Sequence, residues 1–222
     1  MTTLLAPPLQ NLLDRLFADA DRDFETMPAS FTALSQEERT RLMTSPTEYA
    51  TLYAQLGNKA LAVSRETGSL LYMLARATAA RTIVEFGTSF GLSTLHLAAA
   101  LRDNGGGRLI TSEFEPTKAA RARATFAEAG FADLIELREG DALETLARDL
   151  PETIDLVLLD GAKGLYPAIL DRLEDRLRAG ALVLADNADW SADYLARVRD
   201  PARGYLSVPF AADVELSLRL RS

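Results

Sequence analysis

The spacing of apolar residues changes character near residue 80 of the chain. Before that point they recur at three- and four-residue intervals, the repeat of one helix face. "LQNLLDRLFADADRDF" puts Leu9, Leu12, Leu13, Leu16 and Phe17 on one side of a helix, as core packing or dimer contacts. In "LSQEERTRLM", Ser35 followed three residues on by Glu38 predicts a capping box at the start of a second helix. "SPTEYATLYAQLG" predicts a third, with Ser45 as its cap, Pro46 in the first turn and Gly57 as its stop. "TGSLLYMLARATAA" reads as a fourth.

From residue 81 short apolar runs alternate with helical segments. The predicted strands are "TIVEF" (82–86), "RLITS" (108–112), "LIELRE" (134–139), "IDLVLL" (154–159) and "ALVLAD" (181–186). Helices are predicted in "LSTLHLAAAL", "PTKAARARATFAEAG", "ALETLARDL" and "LYPAILDRLEDRLRAG", the last with alternating Arg and Asp on a solvated face. Such alternation implies an α/β fold, a doubly wound parallel sheet with helices on both faces. Right-handed crossovers then gather the C-terminal ends of the strands on one edge. The tail, "YLSVPF" and "VELSLRLR", predicts a hairpin that closes a mostly parallel, seven-stranded sheet with an antiparallel last strand.

Composition narrows the chemistry. A formal net charge of −8 without a Lys/Arg cluster argues against a nucleic-acid partner. The absence of cysteine removes disulfides and thiol nucleophiles. His96 is the one histidine and is read as a satisfied core residue of a helix, so acid–base work must rest on Asp, Glu, Lys or Tyr. No apolar run approaches the ~20 residues of a membrane span, and the N-terminus lacks a signal-peptide pattern. A cytoplasmic protein with no membrane partner is expected.

"VEFGTSFGLSTL" leads from a strand through Gly87 and Gly91 into a helix. Such a turn lets a ligand approach backbone and offers it a helix N-terminus; equally, it is a plain strand-to-helix connection. Ser89 stands where the dinucleotide fingerprint needs its second glycine, which weakens a nucleotide-dependent oxidoreductase reading. Glu113 ends the next strand, where an acid can accept both hydroxyls of a ribose. Ribose recognition without a diphosphate loop points to S-adenosylmethionine, with Ser93 and the helix start for its carboxylate. Asp141 in "EGDALE" either meets the adenine amino group or caps the following helix.

"LLDGAKGLY" and "LADN" carry the strongest pattern. Asp160 ends the fourth strand and Asp186 the fifth, with Asn187 beside it. Neighbouring strands lie ~4.8 Å apart, so both carboxylates would share one crevice and repel unless a cation separates them. Two carboxylates and an amide oxygen are hard ligands suited to Mg²⁺ or Ca²⁺. Lys163, near such a dication and a sulfonium, would lose its charge readily and act as a base. Trp190 is left between two roles, wall of an aromatic pocket or cover for the sheet edge.

Together the segments "VSRETG", "VEFGTSFGLST", "SEFE", "GDALE", "LLDGAKGLY" and "LADN" resemble, in order and spacing, the cation-dependent class I S-adenosylmethionine-dependent O-methyltransferases related to catechol and caffeoyl-CoA O-methyltransferases. The resemblance implies a Rossmann-like methyltransferase domain over 61–222 and a helical extension over 1–60 that serves as dimer or substrate cap. It implies a divalent cation on Asp160, Asp186 and Asn187, Mg²⁺ foremost with Ca²⁺ or Mn²⁺ as alternatives, and Lys163 as catalytic base assisted by Asp160. It further implies cofactor contacts at Val63, Glu85, Gly87, Ser93, Glu113, Asp141 and Asp160. The substrate would be a small aromatic hydroxyl compound with vicinal oxygens, and the enzyme a homodimer. Tyr166 would support the loop. The chain departs from catechol O-methyltransferase where that enzyme carries a glutamate near its C-terminal strands; Ser207 stands there. Two rivals remain: a methyltransferase that works without metal, and a non-catalytic binder of adenosyl compounds.

Overall fold

The computed structural model describes residues 2–210 and 213–221. Five helices precede the first strand: α1 (Pro7–Glu25), α2 (Ala29–Thr32), α3 (Gln36–Thr44), α4 (Tyr49–Gln55) and α5 (Arg65–Ala77). Then follow β1 (Thr82–Phe86), α6 (Leu92–Asp103), β2 (Arg108–Glu113), α7 (Pro116–Glu128), β3 (Ile135–Glu139), α8 (Ala142–Thr145), β4 (Ile154–Leu159), α9 (Tyr166–Leu173), β5 (Leu177–Ala185), α10 (Ala192–Val198), β6 (Tyr205–Phe210) and β7 (Val214–Arg219). The seven strands lie in the order β3-β2-β1-β4-β5-β7-β6. β1 to β5 run parallel, and β7 runs antiparallel to both β5 and β6.

Side chains alternate across the sheet with period two, as a pleat requires. Ile83, Leu156, Leu158, Leu182 and Leu184 enter the core shared with α1, α5, α6 and α7. Val84, Val157, Leu159, Val183 and Ala185 enter the opposite core, with α9 and α10. The apolar stripe read on α1 is buried: Leu9, Leu12, Leu13, Leu16 and Phe17 are each at most 7% exposed, in the first of these cores. The Ser35–Glu38 capping box forms as expected, with Ser35 Oγ accepting from Glu38 N and Glu38 Oε2 accepting from Ser35 N.

Several elements differ from the sequence reading. The segment read as one helix over "LYPAILDRLEDRLRAG" breaks after Leu173, and β5 begins at Leu177, not Ala181. Glu174 begins a short 3-10 turn that ends at Arg176, its carboxylate gathered by Arg197, Tyr205 and Arg219, and Leu177 pairs with Ile154. The helix expected over "ALETLARDL" is a single turn, because Arg138 takes the carbonyls of Thr145, Arg148 and Asp149. Ser45 accepts from Thr47 and Glu48 N, making a turn that delays α4 to Tyr49. α2 and α10 had no counterpart in the sequence reading. Among the described residues no helix is long and apolar enough to cross a membrane.

His96 is 4% exposed, with Nδ1 2.8 Å from Leu92 O, and burial holds its pKa below the ordinary value. It is the satisfied core histidine expected. Gly68 on α5 lies against it: a methyl added there would sit 2.8 Å from the imidazole. Gly68→Ala gains helix propensity of under ~1 kcal/mol but overpacks the ring, typically at about 1–3 kcal/mol. A net loss of stability in urea titration is expected; equal or greater stability would show that His96 moves freely.

Candidate active site

The ladder that joins β1, β4 and β5 continues one residue past each strand. Asp160 N donates to Phe86 O at 2.8 Å, and Asp186 N to Leu159 O at 2.9 Å. Both acids therefore stand at the C-terminal edge, side by side, as the strand-end spacing suggested. Lys163 Nζ is 3.0 Å from Asp160 Oδ1, and the lysine is only 3% exposed. Tyr166 holds the loop by donating to Asp186 O at 2.7 Å, the supporting role expected of it. Asn187 adopts a left-handed backbone (φ 48°), donates through Nδ2 to Asp213 at 3.1 Å and accepts at its backbone carbonyl from Trp190 N, so its side-chain Oδ1 has no partner among the described residues.

The charges in this crevice do not balance. Burial raises the Asp186 pKa well above the carboxylate range; Asp160 and Asp213 add to it and Lys163 opposes. Burial alone would lower Lys163, but the surrounding oxygens of Tyr166, Asp160, Tyr53 and Asp186 outweigh it and keep the ammonium charged. These neighbours hold the Lys163 pKa above its ordinary value, against the effect of burial. Among the described residues no three or more His, Cys, Asp and Glu converge as a metal cluster. The donor set of Asp160, Asp186 and Asn187 nonetheless fits a hard divalent cation, because two crowded carboxylates lack a second positive charge.

Two cavities meet at Asp160. A narrow hollow of about 70 Å³ is lined by Gly87, Ser89, Glu113, Lys118, Gly140, Ala142 and Asp160, with Tyr49, Tyr53 and Phe114 in its wall. A chamber of about 750 Å³ extends from Asp160, Lys163, Asp186 and Asn187 to Val63 and the N-terminal helices. Tyr53 and Leu61 belong to both.

Gly87 (φ +100°) allows the turn: a Cβ there would lie 2.5 Å from Asp160 O. Glu113 accepts from Ser89 N at 2.8 Å and Glu115 N at 2.9 Å, and its net pKa is raised because burial exceeds those bonds. Asp141 caps α8 by accepting from Leu143 N, and its neighbours Gly140 and Ala142 line the hollow. Val63 lines the chamber, not the hollow. Glu85 and Ser93 reach neither. Glu85 is 0% exposed and accepts from Ser93, Thr94 and Thr111 at 2.6 Å each.

Three site residues escaped the sequence reading. Lys118 is buried in the hollow, its pKa lowered by burial against the pull of Glu113, Glu115 and Asp160. Its spacing with Ala122 and Phe126 on α7 was the available signal. Tyr53 sits one turn after Tyr49 on α4, again a readable spacing. Asp213, at the hairpin, carried none. Trp190 walls an outer chamber beside α3. Ser207, at the departure from catechol O-methyltransferase, bonds Glu215 at 2.6 Å and Ser217 at 2.8 Å within the β6–β7 hairpin.

This strand order, with acids at the C-terminal tips of a mostly parallel sheet and a reversed last strand, defines the class I methyltransferase architecture. A family model described as O-methyltransferase matches residues 35–219, and the chain belongs to that family. It is 35% identical over 137 residues to the catechol O-methyltransferase of Niastella koreensis, covering 60% of this chain and 61% of that protein. Against the catechol O-methyltransferase of Mycobacterium tuberculosis it is 36% identical over 140 residues, 63% of each chain. The match thus spans about six-tenths of the length of these relatives. Among solved structures, TomG of Streptomyces achromogenes, an O-methyltransferase involved in tomaymycin synthesis and complexed with SAM, superimposes with a TM-score of 0.64 and 28% identity over 84% of this chain and all of that one.

Burial raises Glu85 from 4.5 to about 7, opposed by the Ser93, Thr111 and Thr94 hydroxyls and reinforced by Asp160. The folded protein therefore keeps a proton that the unfolded chain releases near 4.5, so stability falls as pH rises from about 4.5 to about 7 and then levels. The loss amounts to about 3 kcal/mol. Urea unfolding of wild type and Glu85→Gln across that range is expected to show the difference between them shifting against wild type. A pH-independent difference would remove Glu85 as its source.

Proposed function

We propose that this protein transfers a methyl group from S-adenosylmethionine to a hydroxyl of a small aromatic bearing vicinal oxygens, with a divalent cation, Mg²⁺ foremost, held by Asp160, Asp186 and Asn187. One observation carries this reading. Adjacent strand tips crowd two carboxylates and Lys163 into a crevice that opens on both a narrow hollow and a larger chamber.

We assign the adenosyl group to the hollow, which at about 70 Å³ must widen to admit it. Glu113 retains lone pairs for two ribose hydroxyls beyond its two backbone bonds, and Gly87 admits a ligand against backbone. We assign Asp141 to the adenine edge, on the support that its neighbours Gly140 and Ala142 line the hollow. We assign Glu85 and Ser93 to holding the turn from beneath, and Val63 to the boundary with the chamber. SAM bound in TomG supports the same cofactor here. The helices of residues 1–60 then cap the chamber, since Phe17, Phe24, Phe31 and Leu52 line it.

A cation bound at the strand tips would favour the ionised form of a substrate hydroxyl. Beside that second positive charge and the sulfonium, Lys163 would give up its own proton to solvent and, as a neutral amine, receive the substrate proton at Nζ. Asp160 holds Lys163 in place, and its own position is fixed by the Phe86 carbonyl. The substrate oxygen attacks the sulfonium methyl: the O–C bond forms, the C–S bond breaks, and the electron pair stays on sulfur as S-adenosylhomocysteine. Alignment of the three atoms is the main contribution of the scaffold.

With catechol as probe, Lys163→Ala is expected to lower kcat by about 10²–10⁴-fold with S-adenosylmethionine affinity nearly unchanged. Chelation should abolish turnover and added Mg²⁺ restore it. Full activity in chelator would favour transfer without metal, and cofactor binding without turnover on any vicinal diol would favour the non-catalytic binder. We also infer a homodimer. Leu206, Val208 and Phe210 lie 40–59% exposed along one face of edge strand β6, an apolar surface for a second copy. Light scattering is expected to give twice the chain mass for wild type and the monomer for Val208→Asp; a wild-type monomer would refute it.

A further inference from the structure

We propose that the substrate carries a carboxylate at the end remote from its methylated hydroxyl, and that Arg39 receives it. The proposal rests on the methyl-transfer reading for where the hydroxyl sits. An outer chamber of about 570 Å³ adjoins the one that ends on Asp160 and Lys163, and Phe24, Met27, Phe31 and Met43 wall both. Phe24 is 74% exposed, an aromatic face left open at that junction. A substrate that fills the inner chamber can therefore continue outward along apolar walls.

Arg39 lines the outer chamber one helix turn before Met43, on the same face of α3. Its Cζ lies 5.7 Å from the Phe31 ring centroid, and its Nε is buried with no hydrogen-bond partner. Two acids near it in sequence are engaged elsewhere. Glu38 is taken by the Ser35 cap, and Glu48 by Arg41 at 2.6 Å. Glu25 lines the same chamber but forms no ion pair with Arg39. An arginine nitrogen buried without a partner is costly, and a ligand acceptor relieves that cost.

The guanidinium fork matches a planar carboxylate. Arg39 is the one cationic side chain among the described residues that line the outer chamber, so a single negative charge fits better than a phosphate dianion. The ligand class is thus an elongated aromatic acid, with vicinal oxygens at the inner end and the carboxylate at the outer.

The test compares 3,4-dihydroxycinnamate with its methyl ester, by methyl transfer and by calorimetric binding with Mg²⁺ and S-adenosylhomocysteine, in wild type, R39Q and R39K. Wild type is expected to favour the acid by about tenfold in kcat/KM, through KM and not kcat, the worth of one charge-assisted hydrogen bond. R39Q is expected to lose that preference, and R39K, which keeps the charge, to recover part of it. Equal kcat/KM for acid and ester in wild type, or a preference that survives R39Q, overturns the proposal. If neither compound is methylated, the methyl-transfer reading fails and binding alone decides. Acid affinity about tenfold above the ester in wild type but not in R39Q supports the Arg39 assignment; equal affinities, or no binding of the acid, overturn it.

Discussion

Asp160 and Asp186 follow β4 and β5 directly, and the parallel ladder between those strands leaves their carboxylates no room to separate. Backbone hydrogen bonds fix both residues, so the repulsion between them cannot relax by movement of either strand. It is met instead by what surrounds it: the Lys163 ammonium on one side, and the Tyr166 hydroxyl tying the Asp186 carbonyl to α9 on the other. One positive charge against the buried Asp186 and the half-buried Asp160 leaves an excess. That excess is the physical basis for proposing a cation in the crevice, and it raises the Lys163 pKa against the effect of burial.

The N-terminal helices are bound into this arrangement at several points. α1 shares the core that holds Ile83 and Leu158, so it is packed on the sheet and does not merely cover it. Asp23 at its end accepts from Ala60 N and pairs with Lys59, fixing the segment that leads to Val63. A side chain at Gly164 would strike the Thr44 carbonyl, so the end of α3 is fitted to the Lys163 loop. Tyr53 then stands between the hollow and the chamber. Elements that shape the far end of the substrate space are thereby registered against the groups that do the chemistry.

What the sequence made legible was what depends on local pattern. The capping box, the alternation of strands and helices, and the acids placed at strand ends were all readable, because each follows from residue spacing alone. The segment from Glu174 to Gly180 was not, since its helical periodicity is overridden by distant partners: Arg197, Tyr205 and Arg219 gather Glu174, and Ile154 pairs Leu177. The single turn of α8 has the same cause, one arginine from β3 collecting three carbonyls. Asp213 enters the crevice only because the hairpin folds back on β5. Arg39 carried no motif at all; its significance lies in a buried, unpartnered Nε and in Glu38 and Glu48 being engaged elsewhere.

Ser89 shows how one departure from a familiar pattern is explained by packing. A glycine would take its left-handed backbone (φ 48°) without strain, whereas serine incurs roughly 1–2 kcal/mol. In return the Ser89 hydroxyl accepts from Leu61 N at 3.0 Å, while its own amide donates to Glu113. Leu61 belongs to the walls of both cavities. The residue that breaks the dinucleotide fingerprint therefore joins the Glu113 carboxylate to the segment that walls both cavities. A glycine at this position would free the turn and lose that link. Local strain and the buried Glu85 carboxyl lie together beneath the same turn, where the fold exchanges stability for a fixed distance between the two cavities.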